Sequence, residues 1–268
     1  MTAEAKLRRM ERARVLRRRG VFLVPSLMTV GNILCGFSAL ILATHGRFLV
    51  SATLLMAAAV LDGLDGRIAR LTGSSSAFGL QLDSIADTIS FGVAPAYIMY
   101  LWSGATLGRA GWAAAFLYLV CASARLARFN IQHTVSDNRY FTGLPTPPAA
   151  LMTMSLVLWH PDRILDRQTA GLVATMLFAI ALLMVSTIRY RSFKDIGRDR
   201  DRTQRQVVAI AVILAAIAIE PQGALLVLSA AYVLSGPLTF VLTKGGREDG
   251  GAAARHAGAA PEAGGQHG

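Results

Sequence analysis

From Val21 onward the chain alternates long apolar blocks with short polar breaks. Blocks near the ~20 residues needed to cross a bilayer core predict spans at roughly 21–44, 49–70, 80–102, 111–129, 144–160, 169–188, 206–220 and 222–243. Ahead of them, "MTAEAKLRRMERARVLRRRG" is basic and helix-prone, which predicts an amphipathic helix on the inner leaflet over 1–20. After them, 244–268 is Gly/Ala-rich and low in complexity, so it is expected to be disordered. The expected architecture is an all-α polytopic membrane protein: eight transmembrane helices in one domain over 21–243, plus the interfacial helix.

Composition agrees. Of the 268 residues, 53% are hydrophobic and 16% charged, against about 25% charged in soluble domains. The net charge of +11 raises nucleic acid as a partner, but its distribution points to a membrane. With the N-terminus inside, 23 of the 27 Lys and Arg fall on the cytoplasmic side. Only Arg47, Arg109, Arg163 and Arg167 fall on the other, as the positive-inside rule requires. The basic ends then meet anionic lipid headgroups. The loop "RYRSFKDIGRDRDRTQR" interleaves Asp with Arg and reads as a solvated connector, with no nucleic-acid partner. Cys35 and Cys121 have no pairing or metal spacing and read as structural thiols. A bacterial inner membrane is the expected location.

Four aspartates interrupt this apolar background. Asp62 and Asp65 are three apart, and Asp83 and Asp87 four apart, so each pair lies on one helical face. "TGSSS" between them marks a turn, making the two helices antiparallel neighbours with facing carboxylates near the cytoplasmic end. Clustered carboxylates repel, and divalent cations reverse that cost. A set of oxygen ligands without Cys or His favours Mg²⁺ or Mn²⁺ over zinc. Two such ions would hold a phosphoryl centre for in-line attack. Gly66, Ala69 and Gly79 stand four residues from an aspartate and open room on the carboxylate face, and Arg70 supplies fixed charge for phosphate.

These residues form a pattern. "DGLDGRIAR" followed by "GLQLDSIAD" resembles the signature of the CDP-alcohol phosphotransferases, D-x-x-D-G-x-x-A-R, a spacer, then G-x-x-x-D-x-x-x-D. Asp62, Asp65, Gly66, Ala69, Arg70, Gly79, Asp83 and Asp87 meet every fixed position. The resemblance implies a membrane enzyme that displaces CMP from a CDP-linked lipid with an alcohol. It implies two divalent ions on the four aspartates, Asp87 as the base, and a homodimer. It also implies that Gly66, Ala69 and Gly79 make room for the CDP moiety while Arg70 binds the diphosphate. "VPSLMTVGNILCGF" is similar to the family's first span; Thr29, Asn32 and Gly36 match, and Ser26 replaces the usual Asn. Thr29 and Asn32 join the CDP-binding candidates on that basis.

"SFGVAP", "ARFN" and "FTGLP" resemble the integral-membrane phosphatidylserine synthases within that family. That implies CDP-diacylglycerol as donor and L-serine as acceptor. Serine needs its carboxylate recognised, and Arg125 and Arg128, three apart, can do so as a fork. Lipid phosphate, or simply the inner membrane boundary, accounts for them equally well. Ser90 and Asn130 are further acceptor candidates; Asn130 can equally cap a helix end. Two other functions stay open. The acceptor can be glycerol 3-phosphate or an inositol phosphate, or the aspartates can serve a cation or proton transporter, which leaves the glycine spacing unexplained.

Overall fold

The structure, a computed structural model, describes residues 26–72, 77–133, 140–191, 211–212 and 215–257. The expected interfacial helix over 1–20 lies outside them. Helix α1 is Ser26–Thr44. It buries Thr29, Asn32, Gly36, Ala39 and Ala43, at helical spacing, and exposes Leu27, Val30, Leu34, Phe37 and Ile41. Small residues inside and large apolar residues outside is the reverse of a soluble helix. Hydrocarbon is the solvent that makes this arrangement favourable.

Helix α2 (Phe48–Thr72) returns antiparallel to α1. Helix α3 (Ala77–Asp87) passes through a widened π turn at Thr88–Val93 into α4 (Ala94–Trp102). A 3₁₀ turn, Gly104–Leu107, leads to α5 (Arg109–His133). Then come strand β1 (Tyr140–Thr142), helices α6 (Thr146–Trp159) and α7 (Arg167–Val185), strand β2 (Arg189–Arg191) and helix α8 (Pro221–Ala257). Helix α5 packs on α7, and α6 lies between α2 and α8. The main core gathers Trp102, Tyr118, Ile98, Met99, Met154, Val157 and Met184, all at most 1% exposed.

Among the described residues, five helices are long and apolar enough to cross a membrane: Ser26–Thr44, Phe48–Ile68, Arg109–Ile131, Arg167–Val185 and Pro221–Phe240. They coincide with the expected spans 21–44, 49–70, 111–129, 169–188 and 222–243. The third expected span, 80–102, is divided by the π turn. The fifth, α6, has 14 residues, about 21 Å of helix against a ~30 Å hydrocarbon core. Of 206–220, only 211–212 and 215–220 are described. Helical backbone continues past residue 243, the expected end of the membrane domain, to Ala257.

The two ends of the bundle are closed differently. At one, the Trp102 indole donates to the carbonyls of His160 (3.0 Å) and Asp162 (2.8 Å), Thr106 donates to Ile164, and Asp166 caps α7 by accepting from the Thr169 N–H at 2.8 Å. At the other, β1 and β2 pair antiparallel with Phe141 opposite Tyr190. Gly143 follows β1 with φ +83°, and a Cβ there would strike the Met184 carbonyl. Only glycine fits that turn. The solvated connector expected from Arg189 is thus, in its first three residues, a strand with Tyr190 1% exposed. Strand pairing depends on a partner some fifty residues away, which local pattern cannot show.

Candidate active site

The aspartates come from α2 and α3, and three of them meet. One carboxylate oxygen from each of Asp62, Asp83 and Asp87 falls within 4.8 Å of the others. The Asp62 and Asp87 carboxylates thus approach one another across the two helices. Two ionised carboxylates have no proton to share, so such a contact needs either a proton or a cation between them. Among the described residues, Asp83 Oδ1 and Asp87 Oδ1 are buried without a hydrogen-bond partner. Orphaned acceptors this deep match a hard divalent cation, which takes carboxylate oxygens as ligands. The donor set fits the expected metal. Asp65, 4% exposed, stands apart from the trio and accepts from Thr29 Oγ1 at 3.1 Å.

Helix α1 covers the site. Asn32 is fully buried with both Nδ2 and Oδ1 unpartnered, one turn from Thr29. Its backbone carbonyl accepts from Ser90 Oγ at 3.0 Å. Ser90 lies in the π turn just after Asp87, and Gly36 of α1 is packed against it. A small apolar plug of Ala58, Phe91 and Ala150 lies one turn beyond Asp62 and Asp87.

Helix α5 forms a further wall. Asn130 donates to Ser84 Oγ at 3.0 Å, and Ser84 donates back to Asn130 Oδ1 at 3.2 Å. This clamp grips α3 between its two aspartates. Arg125 is 8% exposed, whereas Arg128 is exposed. The Arg125 guanidinium donates to Thr146 Oγ1 at 3.3 Å and lies 5.1 Å from the centre of the Phe129 ring.

The small residues fall as follows. A Cβ built on Gly66 meets nothing within 4 Å, so the space beside Asp62 is open. Gly79 is half-buried in the first turn of α3. Ala69 and Arg70 belong to the last turns of α2, and their side chains lie outside those described. Ser90 comes from the π turn, and Asn130 and Arg125 both come from α5, where Arg128 is exposed.

The family profile described as CDP-alcohol phosphatidyltransferase matches residues 22–186. The chain belongs to the CDP-alcohol phosphatidyltransferase family. It is 36% identical over 222 residues to the CDP-diacylglycerol–serine O-phosphatidyltransferase of Helicobacter pylori, spanning 82% of this chain and 92% of that one. A protein of the same name from Mycobacterium tuberculosis is 31% identical over 224 residues, 81% of this chain and 78% of that one. One from Bacillus subtilis is 32% identical over 171 residues, 64% of this chain and 91% of that one. With its five apolar helices, this phosphatidyltransferase is an integral membrane protein.

Three residues near this phosphatidyltransferase's site escaped the sequence reading. Thr146, in the first turn of α6, accepts from Arg125. Tyr232 and Tyr190 come from the last helix and the basic loop, where no motif stood out. The signal, a lone aromatic among small residues in "SAAYVLSG" and another between two arginines, is weak.

Proposed function

We propose that this chain transfers the phosphatidyl group of CDP-diacylglycerol to the hydroxyl of L-serine, giving phosphatidylserine and CMP. The observation that carries the reading is the trio Asp62, Asp83 and Asp87, oxygen-only and partly orphaned, inside a membrane-spanning bundle. The names of the relatives at 31–36% identity supply donor and acceptor.

We assign Asp62, Asp65, Asp83 and Asp87 to two divalent ions, Mg²⁺ or Mn²⁺. When bound, these neutralise the diphosphate and stabilise CMP as it leaves. Thr29 fixes Asp65 through its hydrogen bond, and Asn32 offers a buried donor and acceptor to the CDP moiety. Open space at Gly66, with Ala69, Arg70 and Gly79, admits the nucleotide diphosphate. Asp87 takes the proton of the serine hydroxyl as its oxygen bonds to the lipid-side phosphorus and the bond from that phosphorus to the CMP oxygen breaks. A single displacement is the course we favour, since among the described residues none stands out as a covalent nucleophile. Arg125 is the acceptor-side cation. Ser90 and Asn130 act as struts through Asn32 and Ser84.

The polypeptide crosses the bilayer eight times over 21–243, with both termini and the site on the cytoplasmic side of a bacterial inner membrane. Anionic lipids flank the basic ends, and the enzyme is a homodimer.

The test is CMP release by purified protein from CDP-diacylglycerol with Mn²⁺ or Mg²⁺, with and without L-serine. Asp83→Asn and Asp87→Asn are each expected to lower serine-dependent release by roughly 10²–10⁴-fold, the range for a general base. Release driven only by another alcohol would overturn serine; ion flux without CMP release would overturn the enzyme.

A further inference from the structure

We propose that Thr146, in the first turn of α6, forms with Arg125 the subsite that binds the acceptor's carboxylate. The proposal rests on serine as the acceptor and adds to that reading a residue outside the aspartate motif.

The contact between the two is direct. The Arg125 guanidinium donates to Thr146 Oγ1 at 3.3 Å, and both are buried, with Arg125 8% and Thr146 0% exposed. Among the described residues this is the one hydrogen bond of either side chain, and Arg125 makes no ion pair. Arg125 also sits over the Phe129 ring, 5.1 Å from its centre, a contact that uses none of its N–H groups. A guanidinium has five N–H donors, and a hydroxyl that accepts still has its own proton to give. Unused donors therefore stand side by side, on a charge that is costly to bury without a counterion. A carboxylate answers both, one oxygen on the guanidinium edge and the other on the neighbouring hydroxyl.

Separate contacts bring both residues to the level of the base. Helix α6 runs parallel to the α3–α4 stretch: Ala150 packs with Phe91, and further along the carbonyls of His160 and Asp162 receive the Trp102 indole. Thr146 comes one turn before Ala150, as Asp87 comes one turn before Phe91. Helix α5 runs antiparallel to the same stretch: Asn130 bonds Ser84, and a Cβ on Gly92 would lie 3.7 Å from Ala122 Cβ. Arg125 falls between those two contacts, level with residues 87–90. An acceptor whose carboxylate rests on the pair thus lies in the layer of Asp87. L-Serine, with carboxylate and hydroxyl on adjacent carbons, is short enough to serve both ends. One cation plus one neutral donor suits such a monoanion better than a phosphate-bearing acceptor.

The experiment uses the full-length enzyme with CDP-diacylglycerol and Mn²⁺, measuring initial CMP release across L-serine concentrations. Thr146→Val keeps the side-chain shape and removes the hydroxyl; Thr146→Ala, run beside it, removes the hydroxyl without a branched replacement. Each is expected to raise KM for L-serine by about tenfold, the effect of losing a hydrogen bond to a charged group. KM for the donor and the Mn²⁺ dependence should stay put. Thr146→Ser, which restores the hydroxyl, should bring serine KM back towards the wild-type value. Arg125→Lys keeps the charge but loses the fork, so it should raise serine KM too. Combined with Thr146→Val it should cost less than the product of the singles, because both act on one carboxylate. An unchanged serine KM in Thr146→Val and Thr146→Ala overturns the proposal. So does a rise in donor KM that matches the rise for serine, which a donor-phosphate or packing role would give. Wild-type enzyme that shows no serine-dependent release would instead remove the serine reading itself, before any variant is compared.

Discussion

At Gly36 an added Cβ would sit 2.5 Å from Ser90 Oγ and 3.2 Å from Ser90 Cα. Both lie in the turn that follows Asp87, so the absence of one methyl group sets how closely α1 covers the carboxylates. Gly36→Ala should lower stability by about 1–3 kcal/mol, the usual cost of overpacking, and reduce serine-dependent CMP release with it. The double variant Gly36→Ala, Ser90→Ala should recover part of the thermal stability, since it removes the nearest clashing atom. Recovery of none would place the strain elsewhere. The clustering of Asp62, Asp83 and Asp87 was foreshadowed by spacing, because helix geometry converts i, i+4 into a shared face. Partners were not: Ser90 and Asn130 looked like acceptor ligands by adjacency to the motif, and the fold pairs them with Asn32 and Ser84.

Among the elements, the π turn Thr88–Val93 has an identifiable cause and a compensation. Pro95, in the first turn of α4, has no N–H to return to the turn before it. The Phe91 carbonyl, four residues earlier, accepts from the fully buried Tyr118 hydroxyl of α5 at 3.3 Å instead. Widened turns often mark functional sites in helices, and this one starts at the residue after Asp87. Tyr118→Phe should cost about 1–3 kcal/mol by leaving that carbonyl unsatisfied, read as a lower thermal midpoint. An unchanged midpoint would mean that the carbonyl finds another donor. Which side chain meets that carbonyl depends on the packing of α5.

For the whole molecule, the consequence is orientation. Arg47, in the α1–α2 turn, and Arg163, whose Nε donates to the Leu101 carbonyl, belong to the charge-poor side, while Arg67 stands near the carboxylate end of α2. In a background lacking Cys35 and Cys121, single cysteines at Arg47 and Arg163 should react with an impermeant thiol reagent added outside intact cells. A cysteine at Arg67 should react only after permeabilisation. The reverse pattern would invert the proposed topology.

What the sequence determined by itself was everything that periodicity and charge carry along one chain. Apolar block lengths specify helices that need hydrocarbon, charge asymmetry predicts their direction, and carboxylate spacing predicts a cluster drawn from two helices. The tertiary structure decided what depends on separate elements meeting. It separated Asp65, bonded to Thr29, from the other three carboxylates, and it buried Arg125 while leaving Arg128 exposed. It also brought Tyr190 and Tyr232 together from a short strand and the last helix. The reason is physical: a side chain's environment is set by helix rotation and by contacts between residues tens to a hundred positions apart, and no local pattern encodes those.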